Sequence, residues 1–291
     1  ERKLSEMKTG IVDVGGGFRG IYAAGVFDYC LDTDIRFDYC IGVSAGSANA
    51  SSYLAGQKGR NYKFYYEYSF RKEYMGFRNL ISKGSYIDLD YIYGTLSNAD
   101  GEYPLDFQAL YNNPAQFRVV ATEAETGNVR YFNKSDMKQD DYGILKASSA
   151  IPGISRPYTV GGVSYFDGAL GDAVPVGKAF EEGCDRVVVI LTRPENTPRS
   201  PEIDARLARR IRKKYPKAAE RLLLRAERYN KNVMLTQNYV KQGKAIIVAP
   251  DDISGIDTIS RSKEALQRMY EKGYHDAEAI RAFLNAGNIQ E

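Results

Sequence analysis

Twice in its first fifty-odd residues the chain runs a short apolar stretch into glycines and then into a helical pattern. Gly10-Ile11-Val12-Asp13-Val14 ends in Gly15-Gly16-Gly17, and helical spacing follows from Ile21 to Leu31. Phe37 to Val43 ends in Ser44-Ala45-Gly46, and a small-residue helix follows from Ala45 to Ala55. Strand, turn and helix repeated in this order argue for a parallel sheet with helices on both faces. Later runs extend the rhythm. Phe117 to Thr122 and Val129 to Asn133 read as strands around the turn Glu125-Thr126-Gly127-Asn128. Arg186 to Leu191, nearly continuous Val and Ile, reads as a strand covered on both faces, and Lys244 to Ala249 as another. The expected class is α/β, a three-layer α/β/α arrangement around a central, mostly parallel sheet.

Two segments depart from the rhythm. Residues 57–116, rich in Tyr and Phe and broken by turn signals, read as a helical and loop insertion over one edge of the sheet. Residues 202–243 read as strongly helical and carry the basic run Arg206, Arg209, Arg210, Arg212, Lys213, Lys214, Lys217, Arg221. That run suits either a solvated helix face or contact with anionic headgroups at a membrane surface. Neither segment has the composition of a flexible linker. The expected organisation is one domain over 9–285 with a helical and strand extension from about 196, flanked by an N-terminal extension at 1–8 and a tail at 286–291, with Met7 as the expected natural start.

Composition removes several classes of function. Lys and Arg number 40 against 37 Asp and Glu, a net charge of +3, too balanced for a dedicated nucleic-acid binder. The one histidine excludes multi-His metal sites, and any scheme that needs an imidazole must use His275. Cys30, Cys40 and Cys184 are odd in number and form no CxxC, as expected of buried, reduced cysteines in a cytoplasmic protein. The first residues hold no apolar signal core, and no apolar run approaches the roughly 20 residues of a membrane span. Nothing in the sequence sets an oligomeric state.

Gly15-Gly16-Gly17-Phe18-Arg19-Gly20 fits GxGxxG as text. A dinucleotide site would need an acid at the end of the second strand, whereas Asp38 stands near its start. A P-loop is excluded, because neither glycine turn ends in Gly-Lys-Ser/Thr. Two readings stay open: a tight turn with no ligand, or backbone amides turned outward toward a phosphate or an oxyanion. Gly42-Val43-Ser44-Ala45-Gly46 matches GxSxG in a strand-to-helix setting, which strains the serine and exposes its hydroxyl as a nucleophile. A serine needs a proton acceptor. His275 follows Ser44 and Asp167 in the order Ser, Asp, His, so a triad is one candidate, but the histidine reads as lying near the start of a polar C-terminal helix. Asp167, in Tyr165-Phe166-Asp167-Gly168-Ala169, lies at a strand end where partial burial would raise its pKa toward that of a base. Read alone, Asp-Gly is also an ordinary turn.

In combination and in this order, the glycine turn from Gly15 to Gly20, the elbow from Gly42 to Gly46 and Asp167-Gly168-Ala169 resemble the patatin-like phospholipase family. Ala121-Thr122-Glu123 with Thr126-Gly127, Ala147 to Gly153, and Val174-Pro175-Val176 extend the resemblance over about residues 9 to 193. Asp13-Val14, before the glycines, departs from the family pattern. The resemblance implies a patatin-like fold and a lipid acyl hydrolase that works through a serine–aspartate dyad without histidine, metal or cofactor. Ser44 would be the nucleophile and Asp167 the general base. The amides around Gly15, Gly16, Gly17 and Phe18 would form the oxyanion hole, with Arg19 orienting the turn. The expected partner is a lipid or other ester substrate, met in transient contact with a membrane surface, and 57–116 would form an acyl pocket or lid. A non-catalytic lipid-binding protein on the same scaffold is the alternative.

Overall fold

The first apolar run forms β1 (Thr9–Asp13), buried beyond its first residue, and a 3₁₀ turn through Gly17–Gly20 leads into α1 (Ile21–Asp32). The computed structural model describes residues 7–286. Residues 1–6 and 287–291, most of the expected N-terminal extension and tail, lie outside the described residues. β2 (Tyr39–Val43) is buried throughout, and α2 (Ala45–Leu54) sits close on the sheet with Gly46, Ser47, Ala50 and Ser51 at buried positions. The aromatic segment supplies α3 (Arg60–Tyr66), α4 (Phe77–Lys83) and α5 (Phe107–Asn112). It packs onto α1 and α2, so it covers the helix layer, where the sequence reading put it over a sheet edge. Its rings are largely core: Phe64 meets Tyr68 edge-on at 5.1 Å, and the buried guanidinium of Arg60 lies over Phe64 at 4.4 Å.

β3 (Gln116–Glu123) and β4 (Val129–Phe132) form the expected hairpin. Then come α6 (Gly143–Ser148), β5 (Tyr158–Val160), β6 (Val163–Asp167), α7 (Val176–Glu181) and β7 (Arg186–Ile190). The C-terminal region adds α8 (Glu202–Ile211), α9 (Pro216–Lys241), β8 (Ala245–Val248), α10 (Lys263–Asp276) and α11 (Glu278–Ala286).

The eight strands form one sheet in the order β5-β6-β3-β2-β1-β7-β8, with β4 paired to β3. From β3 to β8 along this order the pairs are parallel, and the pairs made by β4, β5 and β6 are antiparallel. Side chains alternate between two cores, as a strand requires: Ile11 and Cys40 face α1 and its neighbours, while Val12 and Ile41 face α7 and α9. α10 lies against α1 at a separation that only glycine allows, since a Cβ on Gly273 would stand 1.9 Å from the Tyr22 carbonyl oxygen. The three cysteines are buried and unpaired. Among the described residues no helix is long and apolar enough to cross a membrane.

Candidate active site

β3 sets the spacing of the site. Val43, the last residue of β2, is paired with Val120, and Asp167, the last residue of β6, is paired with Ala121. β6 runs antiparallel and starts beyond the end of β3, so its final residue descends to the level where β2 ends. Ser44 and Asp167 therefore arrive on either side of one short stretch of β3, and both line one cavity.

Ser44 caps α2 with φ 56° and ψ −128°, a conformation unfavourable for a residue with a Cβ. Three contacts hold it there. Its amide donates to Ser148 Oγ at 2.8 Å, and that hydroxyl in turn donates to the Val120 carbonyl at 2.5 Å. Its carbonyl accepts from the Ser47 amide and hydroxyl at 2.9 and 2.7 Å. Gly46 completes the elbow, because a Cβ there would lie 2.4 Å from the Asp13 carbonyl oxygen and 2.8 Å from its carboxyl carbon.

Asp167 is 3 % exposed. Its Oδ1 accepts from the Ala169 amide at 2.8 Å, its amide donates to the Ala150 carbonyl at 2.9 Å, and its carbonyl accepts from the Thr122 hydroxyl at 3.0 Å. Burial pushes the carboxyl above the usual carboxylate range, against the opposing pull of the Ser44 hydroxyl, the Ala169 amide and the guanidiniums of Arg225 and Arg199. The hydroxyl is near enough to exert that pull, yet the two side chains do not meet the distance and angle of a formed hydrogen bond. Such looseness is common at catalytic pairs before substrate arrives. Gly168 and Ala169 continue from Asp167 in a 3₁₀ turn, as the strand-end reading expected.

Gly15, Gly16 and Gly17 all have positive φ (67°, 124° and 60°), which turns successive amides to one side. Two of the four expected donors are already engaged: the Gly15 amide donates to Asp13 Oδ1 at 2.9 Å, and the Phe18 amide to the Thr258 carbonyl at 3.3 Å. Gly16 and Gly17 remain. The turn is gripped from several sides. Asp13, fully buried, also accepts from Asn49 Nδ2 at 2.9 Å, which ties the turn to the helix behind Ser44. Burial raises the Asp13 carboxyl to about 6. The Thr192 hydroxyl, just past β7, donates to the Gly15 carbonyl. Arg19 holds the loop before α10, its Nη1 donating to Asp257 Oδ1 at 2.8 Å and to the Thr258 hydroxyl at 3.2 Å.

Ser44 borders two cavities of different character. The one of about 80 Å³ is apolar, walled by Phe18, Phe64, Tyr74, Ile87, Ile92 and Ile151, mostly from the aromatic segment. The one of about 250 Å³ contains Asp167 and the glycine turn and is ringed by Arg19, Arg193, Arg199 and Arg225. His275 belongs to neither. It lies near the end of α10, not its start, and its side chain is 77 % exposed. Asp38 accepts from the Thr9 amide and hydroxyl before β2 begins, away from the glycine turn. In the basic run, Arg206, Arg209, Arg210, Arg212, Lys213, Lys214 and Lys217 are exposed across the end of α8 and the start of α9. Among the described residues no group of three His, Cys, Asp or Glu side chains is placed to hold a metal ion. Sequence reasoning missed Ser148, Asn49, Thr192, Thr258 and the three arginines beyond β7. Only Ser148 had a signal, in the Ala147 to Gly153 stretch.

The family model "Patatin-like phospholipase" matches residues 14–180, and a domain of unknown function (DUF6363) matches residues 215–285. The uncharacterized protein YjjU of Escherichia coli (strain K12) is 31 % identical over 213 residues, which make up 72 % of this chain and 58 % of that protein. Among solved structures, VipD from Legionella pneumophila aligns over 97 % of this chain and 67 % of its own, with 14 % identity and a TM-score of 0.49.

Proposed function

The chain belongs to the patatin-like phospholipase family, and from that premise we propose that it is a serine hydrolase cleaving carboxylic esters of lipids through Ser44 and Asp167. Family membership supports lipid acyl hydrolysis in general. The observation that supports this dyad is the strained Ser44 facing a buried carboxyl of raised pKa where an apolar and a polar cavity meet. In the first half-reaction Asp167 takes the Ser44 proton as Oγ attacks the ester carbonyl. The amides of Gly16 and Gly17 hold the oxyanion, each contributing about 3–4 kcal/mol at the transition state. The tetrahedral intermediate collapses to an acyl-enzyme, and the alcohol leaves with the proton from Asp167. Water, deprotonated by Asp167, then releases the fatty acid and restores Ser44. The acyl chain occupies the apolar cavity under the aromatic segment, and the alcohol occupies the polar one. Phe77 and Ile81, 74 % and 87 % exposed on α4, support transient contact with a lipid surface.

The test uses a short-chain chromogenic ester and a fluorophosphonate label. Ser44→Ala and Asp167→Asn are each expected to lower kcat by about a thousandfold or more, while His275→Ala keeps wild-type activity. Activity lost in the His275 variant would replace the dyad with a triad. A wild-type protein that binds lipid, cleaves no ester and leaves Ser44 unlabelled would be a non-catalytic lipid binder.

A further inference from the structure

We propose that the outer face of α9 is a self-association surface, on which a second copy of this chain docks antiparallel about a two-fold axis at the level of Tyr229. The inference is independent of the reading of Ser44, and its test reads mass rather than turnover.

α9 runs for 26 residues and divides into two faces. The inner face packs against α8 and β8 and supplies Arg225 and Tyr229 to the larger cavity beside Ser44. The outer face carries Leu223, Leu224, Met234 and Leu235, all exposed, with Leu223 at 55 % and Met234 at 63 %. Apolar side chains grouped in this way on a surface mark a contact. Between the two apolar clusters stand Glu227 and Lys231, both exposed and joined at 2.6 Å.

The pattern is the same read from either end. Leu224 and Leu223 stand five and six positions before Tyr229, and Met234 and Leu235 stand five and six after it. Glu227 and Lys231 stand two before and two after, so only the sign of the charge changes. At about 100° per residue, all six fall within about 60° of the line opposite Tyr229. Tyr229 is buried, so that line points to solvent. A two-fold axis there makes an isologous contact, in which each group meets its counterpart twice. Leu223 then meets the partner's Met234, Leu224 the partner's Leu235, and Glu227 the partner's Lys231. Opposite charges meet at the centre and apolar groups at both ends.

The edge of this face continues into a groove between α8 and α9, where Ala205, Ala208 and Ala219 lie beside Leu223. Such small side chains leave room for the partner's Met234, whose flexible thioether adapts to an irregular groove. An anionic lipid surface is the poorer occupant, because it would meet the exposed Glu220 and Glu227 in the middle of the face. From Leu223 to Leu235 the contact is one helix wide and about 18 Å long. That is smaller than a standard interface of about 800 Å² per partner, so the dimer is expected to be weak, with a dissociation constant of micromolar order or above.

The test is sedimentation of the full chain over a concentration series up to about 300 µM, with circular dichroism to check that each variant is folded. Wild type is expected to move with concentration from 32.6 kDa toward twice that mass. Glu227→Lys and Lys231→Glu each set like charges against one another at both symmetric contacts, and each should weaken association by about tenfold or more. Both side chains are more than half exposed, so losing their pair within the helix costs the fold little. Mixed in equal amounts, the two variants present only opposite charges across the contact, and the dimer should return. Met234→Glu should abolish it. Wild type that stays monomeric at every concentration overturns the proposal; if it then sediments with phosphatidylcholine vesicles, the face belongs to a lipid surface. A dimer that survives Met234→Glu lies elsewhere on the molecule and overturns it too. A dimer that survives either charge reversal, or is lost in both and not restored in the mixture, overturns the antiparallel pairing.

Discussion

Ser148 is the sharpest place to test whether the strained elbow is held from outside. Its hydroxyl is buried completely between two backbone groups, accepting from the Ser44 amide at 2.8 Å and donating to the Val120 carbonyl at 2.5 Å. Ser148→Ala removes one oxygen and leaves the Ser44 amide buried without a partner, which costs about 2 kcal/mol. For a chain of 291 residues that corresponds to a fall in Tm of roughly 3–4 °C. Ser44 gains freedom to relax from φ 56°, and a displacement of about 1 Å at a nucleophile costs roughly a hundredfold in rate. Ser148 lines neither cavity, so KM should stay near wild type while kcat falls about 10–100-fold. Thermal denaturation and steady-state hydrolysis of a short-chain ester read both effects. An unchanged Tm together with kcat within twofold of wild type would refute the reasoning. A lowered Tm with intact kcat would confine Ser148 to stability and place the elbow's support elsewhere.

Three further outcomes follow from the same geometry. Asp167 must be ionised to act as a base and its pKa is raised, so the acid limb of kcat/KM should lie above the ordinary carboxylate value of about 3.9; a rate flat down to pH 4 would remove it as the base. Asp13, raised from 3.8 to about 6, gives stability that is complete below the unfolded pKa and lost as pH rises through the folded one, about 3 kcal/mol between pH ~4 and ~7. Urea titrations across that range should show Asp13→Asn with a flatter pH dependence than wild type, and identical slopes would contradict the assignment. The apolar cavity of about 80 Å³ is smaller than the ~150 Å³ that admits benzene in an engineered core, so butyryl esters should exceed octanoyl esters by about tenfold in kcat/KM. Equal rates would mean that the aromatic segment opens readily.

The residues legible in the sequence are those whose neighbours in the chain are also their neighbours in space. Ser44 sits between Gly42 and Gly46, and the close approach that excludes a Cβ at Gly42 comes from Ser47, 2.4 Å away at its Cα and only five positions on in the chain. Gly15 to Gly20 and Asp167 to Ala169 are likewise local turns, visible as spacing. What holds them is remote. Ser148 lies 104 positions from the amide it anchors, and Thr258 is 239 from the arginine that binds it. Asp13 stood out as a departure from the family pattern, but its pairing with Asn49 follows from β1 meeting α2 and from no local rule. His275 could be set aside for its polar surroundings even though its place on the helix was misjudged, because exposure alone keeps it from the cleft.

Charge shows the limit of linear reading best. The run from Arg206 to Arg221 was conspicuous because its cations are consecutive on helix surfaces, and for the same reason most of them face water. Arg19, Arg193, Arg199 and Arg225 form no run. They come from the glycine turn, the loop after β7 and the middle of α9, and the fold brings them around one cavity. A helix places like charges side by side only where solvent screens them. A buried cationic cavity must draw its cations from separate elements, held by their own packing and in part neutralised by carboxylates, as Asp257 does for Arg19 and Asp204 for both Arg199 and Arg225. Dispersed arginines with shared or partial partners are therefore the form a cationic cavity takes inside a fold, and a count of basic residues along the chain passes over it.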